Sequence, residues 1–292
     1  MKIIDSMAAR TAPFYSLEFF PPKERENRPG FFHTVERLKE LDPLFASVTY
    51  GAGGSTQDNT LEVTAHIKNA IGIEPMAHLT CVGADGPRIS EFLDRLRDEN
   101  VHNVLALRGD APRGVDFSWD AQSFRYASDL VTYVRDCCPD FGVGVAGYPA
   151  AHPESERFRD DIEYTRKKLD AGSDFVVTQL FFDVREYFHF VEQLRDMGVT
   201  KPVLPGILPI QSLASIRRIL MLCGANIPGN LYLALEEANE KGGDAAVKEA
   251  GLDFAVRQIR TLLDGGAPGI HLYTLNKAEM CLEIADRVGR LG

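Results

Sequence analysis

The chain has 292 residues, of which 45% are hydrophobic and 25% charged, as in a globular protein with a full core. Its formal net charge of −10 argues against nucleic-acid binding, because phosphate backbones need clustered lysine and arginine. No run approaches the ~20 apolar residues of a membrane span, and the N-terminal segment lacks the apolar stretch of a signal peptide. Five cysteines without a CxxC pair favour reduced thiols in the cytoplasm over disulfides or a zinc site.

Apolar, β-rich runs alternate with amphipathic helical runs along the whole chain. The strand candidates are residues 14–20, 45–50, 74–80, 101–107, 141–148, 174–182, 201–207 and 269–275. Alternation of this kind predicts a parallel sheet with helices outside it. Eight such units, the first four about 30 residues apart, favour closure into a (β/α)8 TIM barrel over an open sheet. We therefore expect residues 1–292 to form one catalytic domain.

Local signals refine this pattern. Ser212 is a candidate N-cap, and the interval 208–268 is long enough for two or three helices. Residues 142–147, GVGVAG, match the letters of the dinucleotide-binding motif G-x-G-x-x-G. We reject that interpretation because the glycines lie inside a strand candidate and the next helix is expected only near Pro153. Residues 51–56, GAGGST, which follow the second strand, are a more plausible glycine-rich active-site loop, although the signal is weak.

Polar residues just past the strands of such a barrel face its catalytic end. Those positions hold, in order, Glu18, Thr49, His78 with Thr80, Arg108 with Asp110, Tyr148 with His152, Gln179, and Tyr273 with Asn276. Any one of them could simply cap a helix or bond a loop. Their shared position at one end of the barrel predicts an active site.

Glu18 is the most informative of these residues. It lies between Leu17 and Phe19, and Pro21 and Pro22 end its strand. A carboxyl group in an apolar strand is costly to ionise, so its pKa should rise into the range of a general acid. The alternative is a buried ion pair with an arginine or lysine on a neighbouring strand. The position at the strand end favours the acid.

Two loops carry candidate contacts to a cofactor. Arg108 and Asp110 follow the fourth strand, where an arginine fork can hold a phosphate or ring carbonyl and a carboxylate can face a cation. A local turn pair is the alternative for these two. Tyr148 and His152 follow the fifth strand, and Lys167 and Lys168 lie along the next helix, which suggests the phosphates of a nucleotide cofactor. His152 could equally be a helix cap.

Nine segments, in order from residue 16 to 280, carry a family resemblance: SLEFFPPK, SVTYGAGG, AHLTC, NVLALRGD, YASDLV, VAGYPAAHPES, KKLDAGSDFVVTQLFFD, PVLPGILPIQS and HLYTLNKAEM. Together they resemble the methylenetetrahydrofolate reductase family. The resemblance implies a flavoenzyme that uses FAD and NAD(P)H to reduce 5,10-methylenetetrahydrofolate to 5-methyltetrahydrofolate, which supplies methyl groups for methionine synthesis. It also implies a homodimer or homotetramer, and a catalytic barrel without the regulatory domain of eukaryotic members.

The resemblance assigns roles to individual residues. Glu18 matches the general acid, which protonates the folate nitrogen and opens the five-membered ring to an iminium that accepts hydride from the reduced flavin. Asp110 matches the acidic residue near flavin and folate, where its charge could stabilise the iminium. The FAD-binding positions are matched by Thr49, Tyr50, Ala52, His78, Arg108, Gly109, Asp110, Tyr126, Ala127, Tyr148, His152, Asp161 and Lys168. Gln179 matches the residue that bonds the pterin, and Lys277 the position that contacts folate.

Two departures from the family concern the substrate. Leu213 stands near a position where some bacterial members carry an aromatic residue, and Lys277 stands where they carry an arginine, whose fork a lysine lacks. Rival interpretations are a family-like flavoprotein or flavin-free relative acting on another pterin or electron partner, a methyl-transferring pterin barrel, and a non-catalytic binding module. No ribose-reading motif is identifiable, so NADH and NADPH both stay open. We expect no metal, membrane or nucleic-acid partner.

Overall fold

The computed structural model describes residues 1–50, 56–112, 114, 116–155, 157–289 and 291, in which strands alternate with helices. The strands are β1 (Phe14–Phe19), β2 (Ala46–Val48), β3 (Pro75–Thr80), β4 (Asn103–Leu107), β5 (Gly142–Gly147), β6 (Phe175–Thr178), β7 (Val203–Leu204), β8 (Gly206–Ile207) and β9 (Gly269–Tyr273). The helices are α1 (Ile3–Ala9), α2 (Arg28–Leu38), α3 (Thr56–His66), α4 (Gly86–Asp98), α5 (Ala127–Cys137), α6 (Phe158–Asp170), α7 (Val184–Asp196), α8 (Leu213–Cys223), α9 (Gly229–Asp264) and α10 (Ala278–Val288). Short 3₁₀ turns span Arg25–Asn27, Lys39–Leu41 and Trp119–Ala121, and a π-helical turn, Ile67–Ile71, extends α3.

The strands form one parallel sheet that closes on itself. Its order is β7-β6-β5-β4-β3-β2-β1-β9-β8, so the segments at its two ends, β7 and β8, are neighbours in sequence and are separated only by Pro205. Proline gives no N–H to the ladder, but its carbonyl accepts from the backbone N–H of His271 at 3.0 Å. Residues 203–207 therefore act as a single strand, the seventh of eight in chain order, which pairs with β6 on one side and β9 on the other. The predicted (β/α)8 barrel is confirmed.

The two-residue period of the strands divides the sheet into a helix-facing side and a barrel interior. In β1, Phe14 lies in an interior apolar cluster with Ile3 and Met7 of α1, so this helix closes the N-terminal end of the barrel. Ser16 and Glu18 follow on the same face, toward the C-terminal ends of the strands. Interior polar side chains therefore collect at that end, as the sequence predicts.

The helix signals are confirmed with one exception. Ser212 caps α8, and the interval 208–268 holds α8 and α9, the latter interrupted by non-helical glycines into two stretches. The GVGVAG segment is strand β5 rather than a dinucleotide loop. The expected helix start near Pro153 is wrong, since α6 begins at Phe158. The carboxylate of Asp161, in the first turn of α6, holds the preceding loop as a separate turn.

Three further observations concern the cysteines, membrane-spanning helices and metal sites. All five cysteines are free. Among the described residues, no helix has both the length and the apolarity to cross a membrane. In the same part of the chain, no three His, Cys, Asp or Glu side chains are arranged to hold a metal ion.

Candidate active site

A cavity of about 700 Å³ opens at the C-terminal ends of the strands, within the volume range of cofactor and substrate sites. The predicted site residues that line it are Glu18, His78, Arg108, Gly109, Asp110, Tyr126, Ala127, Tyr148, His152, Asp161, Lys168, Gln179 and Tyr273. Thr49, Tyr50 and Lys277 are not among its lining residues. Ala52, with the rest of the 51–55 loop, lies outside the described residues.

Glu18 lies buried at the base of this cavity against two histidines. Its Oε2 is 3.4 Å from Nε2 of His78 and 3.5 Å from Nε2 of His271. The hydroxyl of Ser47, which is the ladder partner of Glu18 on β2, donates to the same oxygen at 3.3 Å. On the far side of the ring, Nδ1 of His271 is 2.9 Å from Oγ of Ser16. We call these five residues the Glu18 cluster.

The expectation of a raised pKa for Glu18 is wrong. Burial does raise the pKa of this carboxyl group, but His271 and His78 outweigh that effect and lower the pKa to about 2. The flanking residues Leu17 and Phe19 made the strand look apolar, yet their side chains lie on its helix-facing side. The alternative of an arginine or lysine partner is also wrong in detail, because the ion-pair partners of Glu18 are histidines of β3 and β9.

The lowered pKa of Glu18 predicts an acid-sensitive contribution to stability. A carboxyl group whose folded pKa lies below the ordinary 4.5 stabilises the fold above pH 4.5, and this contribution is lost as the pH falls toward about 2. We expect the free energy of unfolding to fall more steeply over this interval for the wild-type protein than for Glu18→Gln. Urea unfolding at a series of pH values measures both. Parallel curves would contradict the lowered pKa.

Lys168 is a largely buried cation on the wall formed by β5 and α6. Its Nζ donates to the backbone carbonyl of Ala146. Burial lowers the pKa of this ammonium to about 8, and the charge of Asp161 opposes the shift only in part. The Asp161 carboxylate already accepts from the backbone N–H of His152 at 2.9 Å and from the hydroxyl of Ser155 at 2.6 Å. Since a buried cation is costly without an anion, Lys168 is suited to an anionic ligand in the cavity.

Arg108 joins two loops at the rim of the cavity. Its guanidinium lies 2.5 Å from the carboxylate of Glu154 and 4.6 Å from the centre of the Trp119 ring. The alternative of a local turn pair with Asp110 is therefore wrong, because the carboxylate that Arg108 contacts is that of Glu154.

Gly109, between Arg108 and Asp110, has a φ of +79°, and a Cβ there would come within 3.1 Å of a neighbouring side chain. Only glycine allows the turn that brings Asp110 to the exposed edge of the cavity.

Two tyrosines form an aromatic edge on the same side. The rings of Tyr126 and Tyr164 stack with centroids 6.4 Å apart and planes at 15°. The ammonium of Lys167 lies 5.1 Å from the centre of the Tyr164 ring. Tyr126 and Lys167 were identified from the sequence, whereas Tyr164 was not, because it lies on helix α6 and belongs to no strand end or sequence motif.

His271 is the missed residue with the largest consequence. It lies in the middle of β9, whereas the predicted site residues lie at the ends of strands. The available signal was the two-residue period of a strand: His271 and Tyr273 share a face, and both are directed to the barrel interior.

The remaining predicted positions do not line the cavity. Lys277 precedes α10 and borders a separate shallow depression. Thr49 and Tyr50 directly follow β2, next to the loop outside the described residues. Leu213 is buried in an apolar cluster that α8 and α9 share with the loops after β6 and β8. Contacts of Lys277 to folate and of Thr49 and Tyr50 to a cofactor stay predictions.

Comparison with known proteins gives one consistent result. Residues 3–289 match the family described as methylenetetrahydrofolate reductase. The chain is 39% identical to methylenetetrahydrofolate reductase (NADH) 1 of Arabidopsis thaliana, over 99% of this chain and 51% of that protein. It is 32% identical to the 5,10-methylenetetrahydrofolate reductase of Escherichia coli (strain K12), over 94% of this chain and 90% of that protein. The chain thus spans about half the length of the plant relatives it matches.

A solved structure supports the fold. It is an uncharacterized protein from Clostridium thermocellum that binds two copies of 5-methyl-5,6,7,8-tetrahydrofolic acid. It matches with a TM-score of 0.68 and 15% identity, over 98% of this chain and 97% of that chain. At that identity the likeness shows the barrel architecture alone.

Proposed function

The chain belongs to the methylenetetrahydrofolate reductase family, and from that premise we propose that it reduces 5,10-methylenetetrahydrofolate to 5-methyltetrahydrofolate. FAD is the proposed cofactor and NAD(P)H the proposed electron donor. The observation that carries the proposal is the Glu18 cluster, a buried carboxylate between two imidazoles at the base of a cofactor-sized cavity. This arrangement places an acid–base group at the catalytic end of the barrel, where the reduction needs a proton.

The cavity residues fit a flavin dinucleotide. Lys168 is a largely buried cation suited to an anion, and the pyrophosphate of FAD is such an anion. Arg108 offers a planar fork at the rim, where its pairing with Glu154 is partly exposed and therefore exchangeable at small cost. The stacked rings of Tyr126 and Tyr164 offer an aromatic surface for a planar group. When bound, FAD would supply the hydride for the folate.

Glu18 would deliver the proton that opens the five-membered ring of the folate. With a pKa of about 2 it is ionised at neutral pH, so it must receive a proton before it can donate one. His78 and His271 lie within 3.5 Å of the carboxylate, and Ser16 continues the chain of polar atoms from His271. A pterin that excludes water from the carboxylate raises its proton affinity and favours transfer through Glu18.

Other residues would orient the substrate and its cationic intermediate. Gln179 lines the cavity after β6 and would bond the pterin edge through its amide. The Asp110 carboxylate at the exposed edge would stabilise the positive iminium formed on ring opening. Lys277 would contact the glutamate tail of the folate with a single charge rather than an arginine fork.

The wider proposals follow from the family. We propose that residues 1–292 form one catalytic domain, that the protein forms homodimers or homotetramers, and that it supplies methyl groups for methionine synthesis. A cytoplasmic location is in keeping with five free thiols.

Reconstitution tests the proposal. Purified protein is titrated with FAD while flavin fluorescence is followed, and the loaded protein is then given methylenetetrahydrofolate with NADH or NADPH in parallel. We expect saturable flavin binding and formation of 5-methyltetrahydrofolate with at least one of the two donors. Absence of both flavin binding and product would refute the proposed function.

A further inference from the structure

Tyr273 ends β9 and lines the cavity between two parts of the proposed pterin site. In the ladder it lies opposite Glu18 of β1, and its ring contacts His271 edge to face, with centroids 5.4 Å apart. On its other side, the Tyr273 hydroxyl donates to the backbone carbonyl of Thr178 at 2.8 Å. Gln179 is the next residue after Thr178. One side chain therefore connects the Glu18 cluster to the loop that carries Gln179.

This connection crosses the closure of the barrel. Between β6 and β9 lies only the seventh strand, residues 203–207, whose two-residue halves are separated by Pro205. Gly206 in this strand donates its N–H to the Thr178 hydroxyl at 2.9 Å. A Cβ at Gly206 would lie 2.7 Å from the Tyr273 ring and closer still to the Thr178 carbonyl. The missing side chain thus makes room for the tyrosine to reach across to β6.

The Tyr273 hydroxyl has one proton, and the bond to Thr178 uses it. Burial, with the charge of Glu18 adding to it, raises the pKa of Tyr273 well above its ordinary value. The hydroxyl therefore stays protonated at neutral pH and keeps donating to the carbonyl. The hydroxyl thus links β9 to the end of β6, and it has no proton left to donate to a substrate.

We propose that Tyr273 is a positioning residue whose bond to Thr178 fixes the span between the Glu18 cluster and Gln179. A pterin ring must contact the Glu18 carboxyl group and the Gln179 amide at the same time, so its binding depends on the distance between them. The inference rests on the proposed folate reductase function.

The test compares Tyr273→Phe with a matched control, Tyr187→Phe. The hydroxyl of Tyr187 donates to the backbone carbonyl of Val203 at 2.9 Å, so it also holds the seventh strand, but Tyr187 does not line the cavity. Each variant loses one buried bond between a hydroxyl and a carbonyl, and both should lose similar thermal stability. Calorimetric titration gives the Kd of 5-methyltetrahydrofolate, and steady-state assays give KM and kcat for methylenetetrahydrofolate.

Tyr273→Phe should raise the folate Kd and KM by roughly five- to tenfold, the effect of one lost hydrogen bond transmitted to the ligand. Tyr187→Phe should leave both values within about twofold of wild type. Equal Kd and KM values for the two variants overturn the positioning role while the proposed function stands. A wild-type protein that binds no folate overturns the proposed function, and this inference with it.

Discussion

Glu18→Gln should lower the rate of methylenetetrahydrofolate reduction by about 10²- to 10⁴-fold, the usual contribution of a positioned general acid. Glutamine keeps the shape of the side chain and its place between His78 and His271, but it has no proton to transfer to the folate nitrogen. Flavin reduction by NAD(P)H needs no such proton donor and should keep its rate. Stopped-flow measurement of the two half-reactions separates these effects.

Glu74→Gln is the matched control for this variant. Glu74 is also a buried carboxylate, paired with Lys68 and bonded by the Asn103 amide at 3.0 Å. It precedes β3 at the N-terminal end of the barrel, outside the cavity. Its replacement should cost stability but leave both half-reactions close to wild type. Equal slowing of both half-reactions in Glu18→Gln would contradict the acid role.

Lys168→Met should raise the Kd of FAD by roughly 10- to 100-fold, the range expected for one lost hydrogen bond to a charged group. The pH dependence is a second signature. Because the pKa of Lys168 is lowered to about 8, the wild-type protein loses this cation as the pH rises through 8. Its affinity for an anionic cofactor should therefore fall above pH 8, whereas the affinity of the methionine variant should change little there. Flavin fluorescence titrations between pH 6 and about 9.5 measure both.

Lys201→Met is the matched control for the lysine. Lys201 is half-buried, donates to the backbone carbonyls of Leu169 and Ser173, and has a pKa that burial also lowers. It does not line the cavity. Its loss should leave the FAD Kd and its pH profile unchanged. The same rise in Kd in both variants would show that the effect comes from stability rather than from contact with the cofactor.

The barrel was predictable because its signal is local and repeated. Each strand candidate contains an observed strand, and the alternation with helices indicates a parallel sheet without any long-range information. Even the seventh strand was predicted as one run, 201–207, although Pro205 divides its ladder. The helix start near Pro153 failed because the Asp161 side chain, rather than the proline, organises that loop.

The site was predictable only in part. Polar residues at strand ends lie together because parallel strands share their ends, and this brought Arg108, Asp110 and Gln179 to one cavity. The pKa of Glu18 could not be predicted in the same way. It depends on His271, and the contact between Ser16 and His271 joins residues 255 positions apart that meet only when the first and last strands pair. The residues next to Glu18 in the sequence are apolar and therefore predicted the wrong environment, because in the fold its carboxyl group lies against two imidazole rings.

Anaerobic titration tests the central claim most directly. FAD-loaded protein is reduced with NADH or NADPH in the absence of oxygen, and methylenetetrahydrofolate is then added while flavin absorbance is recorded. The proposed function predicts that the donor bleaches the flavin and that one equivalent of folate restores its colour with formation of one equivalent of 5-methyltetrahydrofolate. A flavin that stays reduced after the folate is added would contradict it.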